Sequence, residues 1–314
     1  MAPLPQDAFV DKNIANVNVI AEAIKVALTK SESKLKQATV AVSGSAVMTK
    51  TITMPGSLTE DEMEEQVMFE ADQYVPYSLD DINFDFEVQG INQNDPEMVD
   101  VLLVASRKEN VEDRVEALLK AGLKAGIVDV ETFAMEDALS LLSDQFADSK
   151  GTRTVAIADI GSTLSTLNVL HDGKVVYSRE QGFGGKQLTE EIQRRYGLSY
   201  EEAGMAKRQG GLPDSYIVDV LDPFKGAMLQ QIQRSMQFFM SSSANRDFDS
   251  IVLAGGCASI PGIDKLVAKS LGVPVYIANP FINMTLSNKV KLLALTNDAP
   301  TMMTACGLAL RSFD

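Results

Sequence analysis

Three glycine-bearing turns carry the residues best suited to chemistry. The first is D-I-G-S-T, from Asp159 to Thr163, between two predicted strands. A turn with glycine and small hydroxyl residues exposes backbone N–H groups that can surround a phosphate. Asp159 stands at the end of a strand, where a carboxylate can hold Mg²⁺ through a water molecule. Taken alone, this motif is common and more often marks an ordinary turn.

The second turn is G-F-G-G-K, from Gly182 to Lys186, at the start of a predicted helix. Gly184 and Gly185 would let backbone amides approach an anion at the positive end of the helix dipole, and Lys186 would add a charge. The pattern is not a Walker A loop, because position 180 is Glu and position 187 is Gln. A purely structural role, in which two glycines allow a tight turn from strand to helix, explains this pattern equally well.

The third turn is A-G-G-C-A, from Ala254 to Ala258, after a short apolar strand. Gly255 and Gly256 lack a Cβ, so a flat ring or a ribose can lie against their backbone. Cys257 is most simply a small buried apolar residue. By itself this turn also indicates plain packing more often than a site.

Composition excludes several classes of function. The chain has 314 residues and a formal net charge of −15. A surface that acidic repels nucleic acid, and the densest basic cluster, Arg194, Arg195, Lys207 and Arg208, is interrupted by acidic neighbours. No uncharged apolar run reaches the roughly 18 residues of a membrane span. The N-terminus does not read as a signal peptide, and two widely spaced cysteines predict free thiols in the cytoplasm.

Alternating helical and strand periodicities predict an α/β fold of two domains. Residues 1–148 form the predicted first domain, with an inserted β-α-β-β subdomain at about 46–106. In that insertion, Thr59 and Glu62 fit a capping box at the start of an acidic helix. The polar stretch 144–152 is the expected boundary, and residues 152–298 form the second domain. A closing helix at about 300–314 is expected to complete the first domain.

The order of the turns and elements in the second half resembles the actin-like ATPase superfamily. The sequence there runs strand, D-I-G-S-T, two strands, F-G-G-K, helix, A-K-R, long helix, strand, A-G-G-C, helix. The resemblance implies two domains around a nucleotide cleft that holds ATP and Mg²⁺. The first and third turns would then face each other and hold opposite ends of one nucleotide, and Lys207 would reach it. The implied nucleotide-binding residues are Asp159, Gly161, Ser162, Thr163, Gly184, Gly185, Lys186, Lys207, Gly255, Gly256 and Cys257, with Asp159 as the Mg²⁺ ligand through water.

Within that superfamily the first half resembles the PilM family of type IV pilus assembly proteins. The resemblance is carried by Met54-Pro55, the acidic helix from Glu60 to Asp72, Tyr74-Val75-Pro76 and Asp85-Phe86. It implies a cytoplasmic, ATP-binding scaffold that binds the cytoplasmic N-terminal segment of PilN in a groove beside the inserted subdomain. Other pilus platform proteins would be further partners, and membrane association would arise only through partners.

Two departures from the superfamily pattern bear on activity. The only D-I-G lies at 159–161, so the sequence is expected to lack the superfamily's opening strands and the first phosphate motif that they carry. The family's A-E-x-x-K reads Ala203-Gly204-Met205-Ala206-Lys207, without the glutamate. Weak ATP hydrolysis would use a water near Asp159. Two alternatives stay open: an FtsA-like cell-division filament protein, and a small-molecule phosphotransferase of the same superfamily.

Overall fold

The computed structural model describes residues 2–5, 8–10, 13–142, 153–243, 247–288 and 290–311. The chain divides into two compact units, Met1–Glu131 with Arg311–Asp314, and Thr132–Leu310. The predicted boundary at 144–152 lies outside the described residues. None of the described helices combines the length and apolar character that a bilayer crossing requires.

Unit one contains a parallel pair of strands, β3 (Gln37–Val42) and β7 (Lys124–Val130). Helix α3 (Lys108–Lys120) packs beside both strands, and helix α1 (Val17–Ser31) packs against α3. A short hairpin precedes them, formed by β1 (Phe9–Val10) and β2 (Asn13–Ile14). The two-residue strands of this hairpin are too short to show a period in the sequence.

The predicted β-α-β-β insertion is present in unit one. It consists of β4 (Val47–Pro55), α2 (Glu60–Tyr74), β5 (Ile82–Ile91) and β6 (Met98–Arg107), with the antiparallel order β4-β6-β5. The capping box is confirmed, because Thr59 accepts from the Glu62 amide and Glu62 accepts from the Thr59 amide. On α2, Met63, Val67 and Ala71 are buried at a spacing of four residues, so one face of the helix covers the sheet.

Unit two is built on a five-stranded sheet in the order β10-β9-β8-β11-β12. The strands β8 (Thr154–Ile160), β9 (Ser165–His171) and β10 (Lys174–Gln181) form an antiparallel meander. The strands β11 (Ser250–Ala254) and β12 (Val275–Ile277) extend it in parallel from β8. The turn between β9 and β10 contains Asp172 and Gly173, which both have positive φ, as a tight turn between twisted strands requires.

Helices cover both faces of this sheet. One face carries Ala156, Ala158 and Leu253 in a core with α5 (Gly185–Tyr196), α6 (Tyr200–Gln209), α7 (Asp222–Ser242) and α8 (Ile263–Leu271). The other face carries Val155, Ile157 and Val252 in a core with α4 (Glu131–Leu139) and α10 (Met303–Leu310). A further helix, α9 (Leu292–Asp298), precedes α10. Burial of both faces explains why β8 and β11 are almost continuously apolar.

The closing helix belongs to unit two up to Leu310, and Arg311 belongs to unit one. Within unit one, the Nε atom of Arg311 lies 3.4 Å from the Oδ2 atom of the buried Asp129. The assignment of whole domains around this helix stays a prediction.

Candidate functional site

The three glycine-bearing turns meet at one edge of the sheet of unit two. β8 and β11 are adjacent parallel strands, and Asp159 pairs with Ala254 in their register. The first and third turns follow directly from the carboxyl ends of these two strands. The carboxyl ends of neighbouring parallel strands are where α/β proteins commonly place their ligands. The topology therefore makes the first and third turns neighbours.

The first and third turns are in direct contact. A Cβ built on Gly255 would lie 2.3 Å from Asp159 Oδ1 and 2.4 Å from the Ile160 carbonyl oxygen. Gly255 also has φ +79°, a conformation that favours glycine. The sequence predicted that these turns face each other across a cleft, but at Gly255 there is no gap between them. The lack of space for a Cβ and the positive φ both call for glycine at position 255. This glycine lets the two strand ends lie in contact.

The second turn is fastened onto the first. The Gly185 amide donates to the Gly161 carbonyl at 3.0 Å, and the Lys186 amide donates to the Ser162 carbonyl at 2.8 Å. A Cβ on Gly184 would lie 2.3 Å from the Ser162 carbonyl oxygen. The Gly185 and Lys186 amides, which we expected to approach an anion, thus serve to join the two turns. Glycine is needed at position 184 because the two backbones pack closely there. Its φ of −179° is extended and would accept any residue.

Three other amides are candidates for anion binding. Ser162, Thr163 and Gly256 are exposed. Among the described residues, no turn or loop hydrogen bond to a backbone carbonyl uses the backbone N–H of any of them. Ser162 and Thr163 follow the glycine of the first turn, and Gly256 opens the short 3₁₀ turn Gly256–Ser259. Exposed N–H groups on joined turns are the kind of cradle that binds phosphate oxygens.

Lys207 lies beneath the second turn. Its Nζ atom donates to the Gly185 carbonyl at 3.0 Å and to Thr189 Oγ1 at 2.7 Å. Burial lowers the pKa of Lys207, Cys257 acts in the opposite direction, and Arg208 lowers it further. We expected this lysine to reach a nucleotide. In the structure its two hydrogen bonds hold the first turn of α5 in place.

Cys257 belongs to the third turn, and its side chain contacts the first and second turns. Its sulfur is 3.8 Å from the Gly161 carbonyl oxygen and 3.0 Å from the position that a Cβ on Gly185 would occupy. The side chain is buried, as predicted, and both cysteines are free thiols. Burial raises the pKa of Cys257 to about 11 from 9.0; Lys207 lowers it and Asp159 raises it.

The raised pKa of Cys257 predicts a loss of stability at alkaline pH. Between pH 9 and about 11 the unfolded thiol releases its proton while the folded thiol keeps it, so the free energy of unfolding falls with pH. A shift of this size corresponds to about 2–3 kcal/mol. We expect the Cys257→Ala variant to lose that much less stability than the wild type between pH 8 and pH 11 in urea unfolding. Parallel curves for the two proteins would contradict the burial of an un-ionised thiol here.

Lys186 of the second turn lies beside a glutamate of the same helix. Lys186 is half-buried, and its Nζ atom lies 3.8 Å from Glu190 Oε1. His171 lies beside Thr154, with 3.0 Å between Thr154 Oγ1 and His171 Nδ1. Among the described residues, no group of three or more His, Cys, Asp or Glu side chains is placed to hold a metal ion.

Sequence reasoning missed α6 and the segment after it. The signal for α6 was present, because Ser199 and Glu202 form a second capping box. The π-helical turn Ile217–Leu221 leads into α7 and has no comparable signal in the sequence. α6 matters to the site because it carries Lys207 to the second turn.

A second concave feature lies within unit one, where the inserted subdomain meets the rest of that unit. It is a polar pocket of about 230 Å³. Its lining residues come from β2, from α3 and from the insertion and its flanks: Asn13, Ser45, Ala46, Met48, Tyr77, Arg107 and Asn110. The Arg107 guanidinium stands 5.5 Å from the centre of the Tyr77 ring and 3.1 Å from Glu109 Oε2. The pocket therefore offers a cation, an aromatic ring and two side-chain amides to one ligand.

Comparison with known proteins agrees with this architecture. The sequence matches the family described as type IV pilus assembly protein PilM over residues 1–313. The structure is similar to that of a PilM-PilN type IV pilus biogenesis complex, with 28% identity, a TM-score of 0.80, and coverage of 99% of this chain and 90% of the other. It also resembles the ethanolamine utilization protein EutJ from Carboxydothermus hydrogenoformans, with 15% identity, a TM-score of 0.57, and coverage of 97% and 78%. That second match bears on the fold alone. The fold is the two-domain α/β fold of the actin-like ATPases, and the chain belongs to the PilM family of type IV pilus assembly proteins.

Proposed function

We propose that this chain is an ATP-binding scaffold for type IV pilus assembly and that it binds the cytoplasmic N-terminal segment of PilN. The observation that carries the proposal is the match to a PilM-PilN complex over nearly the whole chain, with an inserted subdomain that forms one side of a polar pocket. PilN would bring the scaffold to the cytoplasmic face of the inner membrane, where other platform proteins would assemble with it.

The joined turns of unit two are the proposed nucleotide site. The amides of Ser162, Thr163 and Gly256 would donate to phosphate oxygens, and Asp159 would hold Mg²⁺ through water. Gly255 and Cys257 would shape the floor of the site from below. Lys207 would act indirectly, by fixing the second turn through its bonds to the Gly185 carbonyl and the Thr189 hydroxyl. The nucleotide would support a binding function, with hydrolysis slow or absent.

The pocket of unit one is the proposed site for the PilN segment. A short extended peptide has unpaired backbone N–H and C=O groups, which the side-chain amides of Asn13 and Asn110 can bind. Arg107 would bind a carboxylate or carbonyl group, since its guanidinium presents several donors in a fixed plane. Tyr77 would pack on an apolar side chain of the peptide.

A peptide titration tests this proposal. A peptide with the N-terminal cytoplasmic residues of the PilN from the same genome is titrated into the protein by calorimetry, with and without Mg²⁺ and ATP. We expect the Arg107→Ala variant to bind roughly tenfold or more weakly, since a charge-assisted hydrogen bond contributes about 1.5–3 kcal/mol. The control is Lys34→Ala, which removes an exposed positive charge elsewhere in unit one.

The possible results separate the parts of the proposal. Loss of affinity in Arg107→Ala with no change in Lys34→Ala would support the pocket. Equal affinity in both variants would move the PilN site elsewhere on the protein. No binding to the wild type at any peptide concentration tested would overturn the PilN assignment itself.

A further inference from the structure

The outer edge of the unit-two sheet is formed by β10. This strand stands at one end of the order β10-β9-β8-β11-β12, so within the described part of the chain only β9 pairs with it. From Tyr177 to Gln181 its register with β9 is regular, after a shift in register at Val176. In an edge strand, every second residue points its backbone N–H and C=O groups away from the sheet. The stretch from Tyr177 to Gln181 can therefore accept a further strand.

Helix α7 runs beside this edge. Alternate residues of β10 share one face of the sheet, and each of them contacts α7. The contacts are Tyr177 with Phe239, Arg179 with Phe238, and Gln181 with Ser235. Phe238 is 42% exposed, and the exposed Arg234 precedes it by one helical turn on the same side of α7. Residues 177–181 together with Arg234 and Phe238 form one surface, which we call the β10 edge surface.

The two arginines of the β10 edge surface are not neutralised by a carboxylate contact. Neither Arg179 nor Arg234 forms a salt bridge within the residues that the structure describes. The Arg179 guanidinium lies 3.6 Å from the centre of the Phe238 ring, and its Nε atom is buried without a hydrogen bond to any described residue. A buried donor without a partner costs stability. In a chain with a formal net charge of −15, such a pair of cations indicates an acidic ligand.

We propose that the β10 edge surface binds an extended acidic segment of a partner protein as a sixth strand of this sheet. The backbone of the segment would pair with Tyr177–Gln181, as in other cases of strand addition. On the side toward α7, a carboxylate of the segment would bind Arg179 and Arg234, since a guanidinium presents paired donors that match it. An apolar residue two positions away would pack on Phe238. Glu180 follows Arg179 in the strand, so it projects from the opposite face of the sheet and does not oppose this carboxylate.

A synthetic acidic peptide provides the test. The probe is a capped, fluorescent heptapeptide in which threonine alternates with valine, glutamate and valine, so that the last three share one side of a strand. Anisotropy titration of the wild type at low salt is expected to show saturable binding below about 1 mM. The same peptide with lysine in place of glutamate is expected to bind at least about tenfold more weakly. A version with every backbone nitrogen methylated is expected not to bind, because it cannot donate to β10.

Arg179→Met separates a binding role from a structural one. The variant removes the charge but keeps an unbranched side chain over the Phe238 ring. We expect it to bind the probe at least about tenfold more weakly, with a free energy of unfolding in urea no lower than that of the wild type, because the unpaired Nε donor is gone. Arg234→Met, at an exposed position, is expected to weaken binding at least about threefold. The matched control is Arg208→Met, which removes an exposed arginine of α6 and is expected to bind like the wild type.

Hydrogen exchange distinguishes strand addition from a simple charge contact. The probe is expected to slow exchange of the outward-pointing amides between Tyr177 and Gln181, and binding without slower exchange there would overturn the proposal. Absence of saturable binding up to about 1 mM would overturn it, as would equal affinity for the glutamate and lysine peptides. Unchanged binding in both Arg179→Met and Arg234→Met would do the same. Wild-type dimers that Arg179→Met abolishes would assign this edge to a second copy of the chain and also overturn the proposal.

Discussion

Replacement of Gly307 by alanine is expected to unfold much of the protein at temperatures where the wild type is stable. A Cβ on Gly307 would lie 1.7 Å from the Ala134 carbonyl oxygen and 2.5 Å from its carbon. These are backbone atoms of α4, so no side-chain rotation relieves the clash, and α4 and α10 would have to separate. Both helices bury residues in one core with the central sheet. We expect a loss of at least about 3 kcal/mol in the free energy of unfolding, the upper part of the range for overpacked cores.

Urea unfolding followed by circular dichroism measures this effect, and Gly226 supplies a matched control. Gly226 also lies inside a helix, α7, but nothing lies within 4 Å of a Cβ built on it. Gly226→Ala is expected to raise stability by up to about 1 kcal/mol, because alanine favours the helix over the unfolded chain. A Gly307→Ala variant as stable as the wild type would show that α4 and α10 are not in backbone contact.

The second large effect is expected on nucleotide binding when a negative charge is placed on the first turn. Thr163 is exposed, so Thr163→Glu should leave the fold intact while its carboxylate repels phosphate groups held at the Ser162 and Thr163 amides. We expect binding of Mg²⁺–ATP to weaken by about 100-fold or more, because like charges at short distance in a partly enclosed site are strongly unfavourable.

Titration with a fluorescent ATP analogue measures this change. Ser215→Glu serves as the control, since it adds the same charge at another exposed position of unit two. Equal weakening in both variants would indicate a general charge effect. Unchanged affinity in Thr163→Glu would place the phosphates away from the first turn.

The sequence predicted the elements of the fold more fully than their contacts. Helix α2 was predictable because its capping box and its buried stripe follow from local spacing, and the 171–173 hairpin because Asp-Gly adopts the required positive φ. β12 was missed, since a strand of three residues shows no period. The neighbouring positions of the first and third turns depend on the pairing of β8 with β11, which lie about 90 residues apart in the chain.

The roles of individual site residues were harder to predict than their positions. The motif D-I-G-S-T indicated amides open to a phosphate; Ser162 and Thr163 are exposed residues, and phosphate binding at their amides stays a prediction. No pattern indicates that Gly185 and Lys186 donate their amides to the first turn, or that Lys207 holds the second turn. These are contacts between distant segments, and sequence spacing carries no information about them. The close approach at Gly255 shows the same limit, since glycine in a turn is equally consistent with open space.

Amide chemical shifts give the most direct test of the central claim, that the joined turns of unit two bind the phosphates of a nucleotide. The protein is labelled with ¹⁵N, and the resonances of Ser162, Thr163 and Gly256 are followed during addition of Mg²⁺–ATP. We predict large, saturable shifts of these three amides, with much smaller shifts for distant exposed residues such as Ser215. Saturable ATP binding that leaves these three resonances unmoved, or no binding at millimolar nucleotide, would contradict the claim.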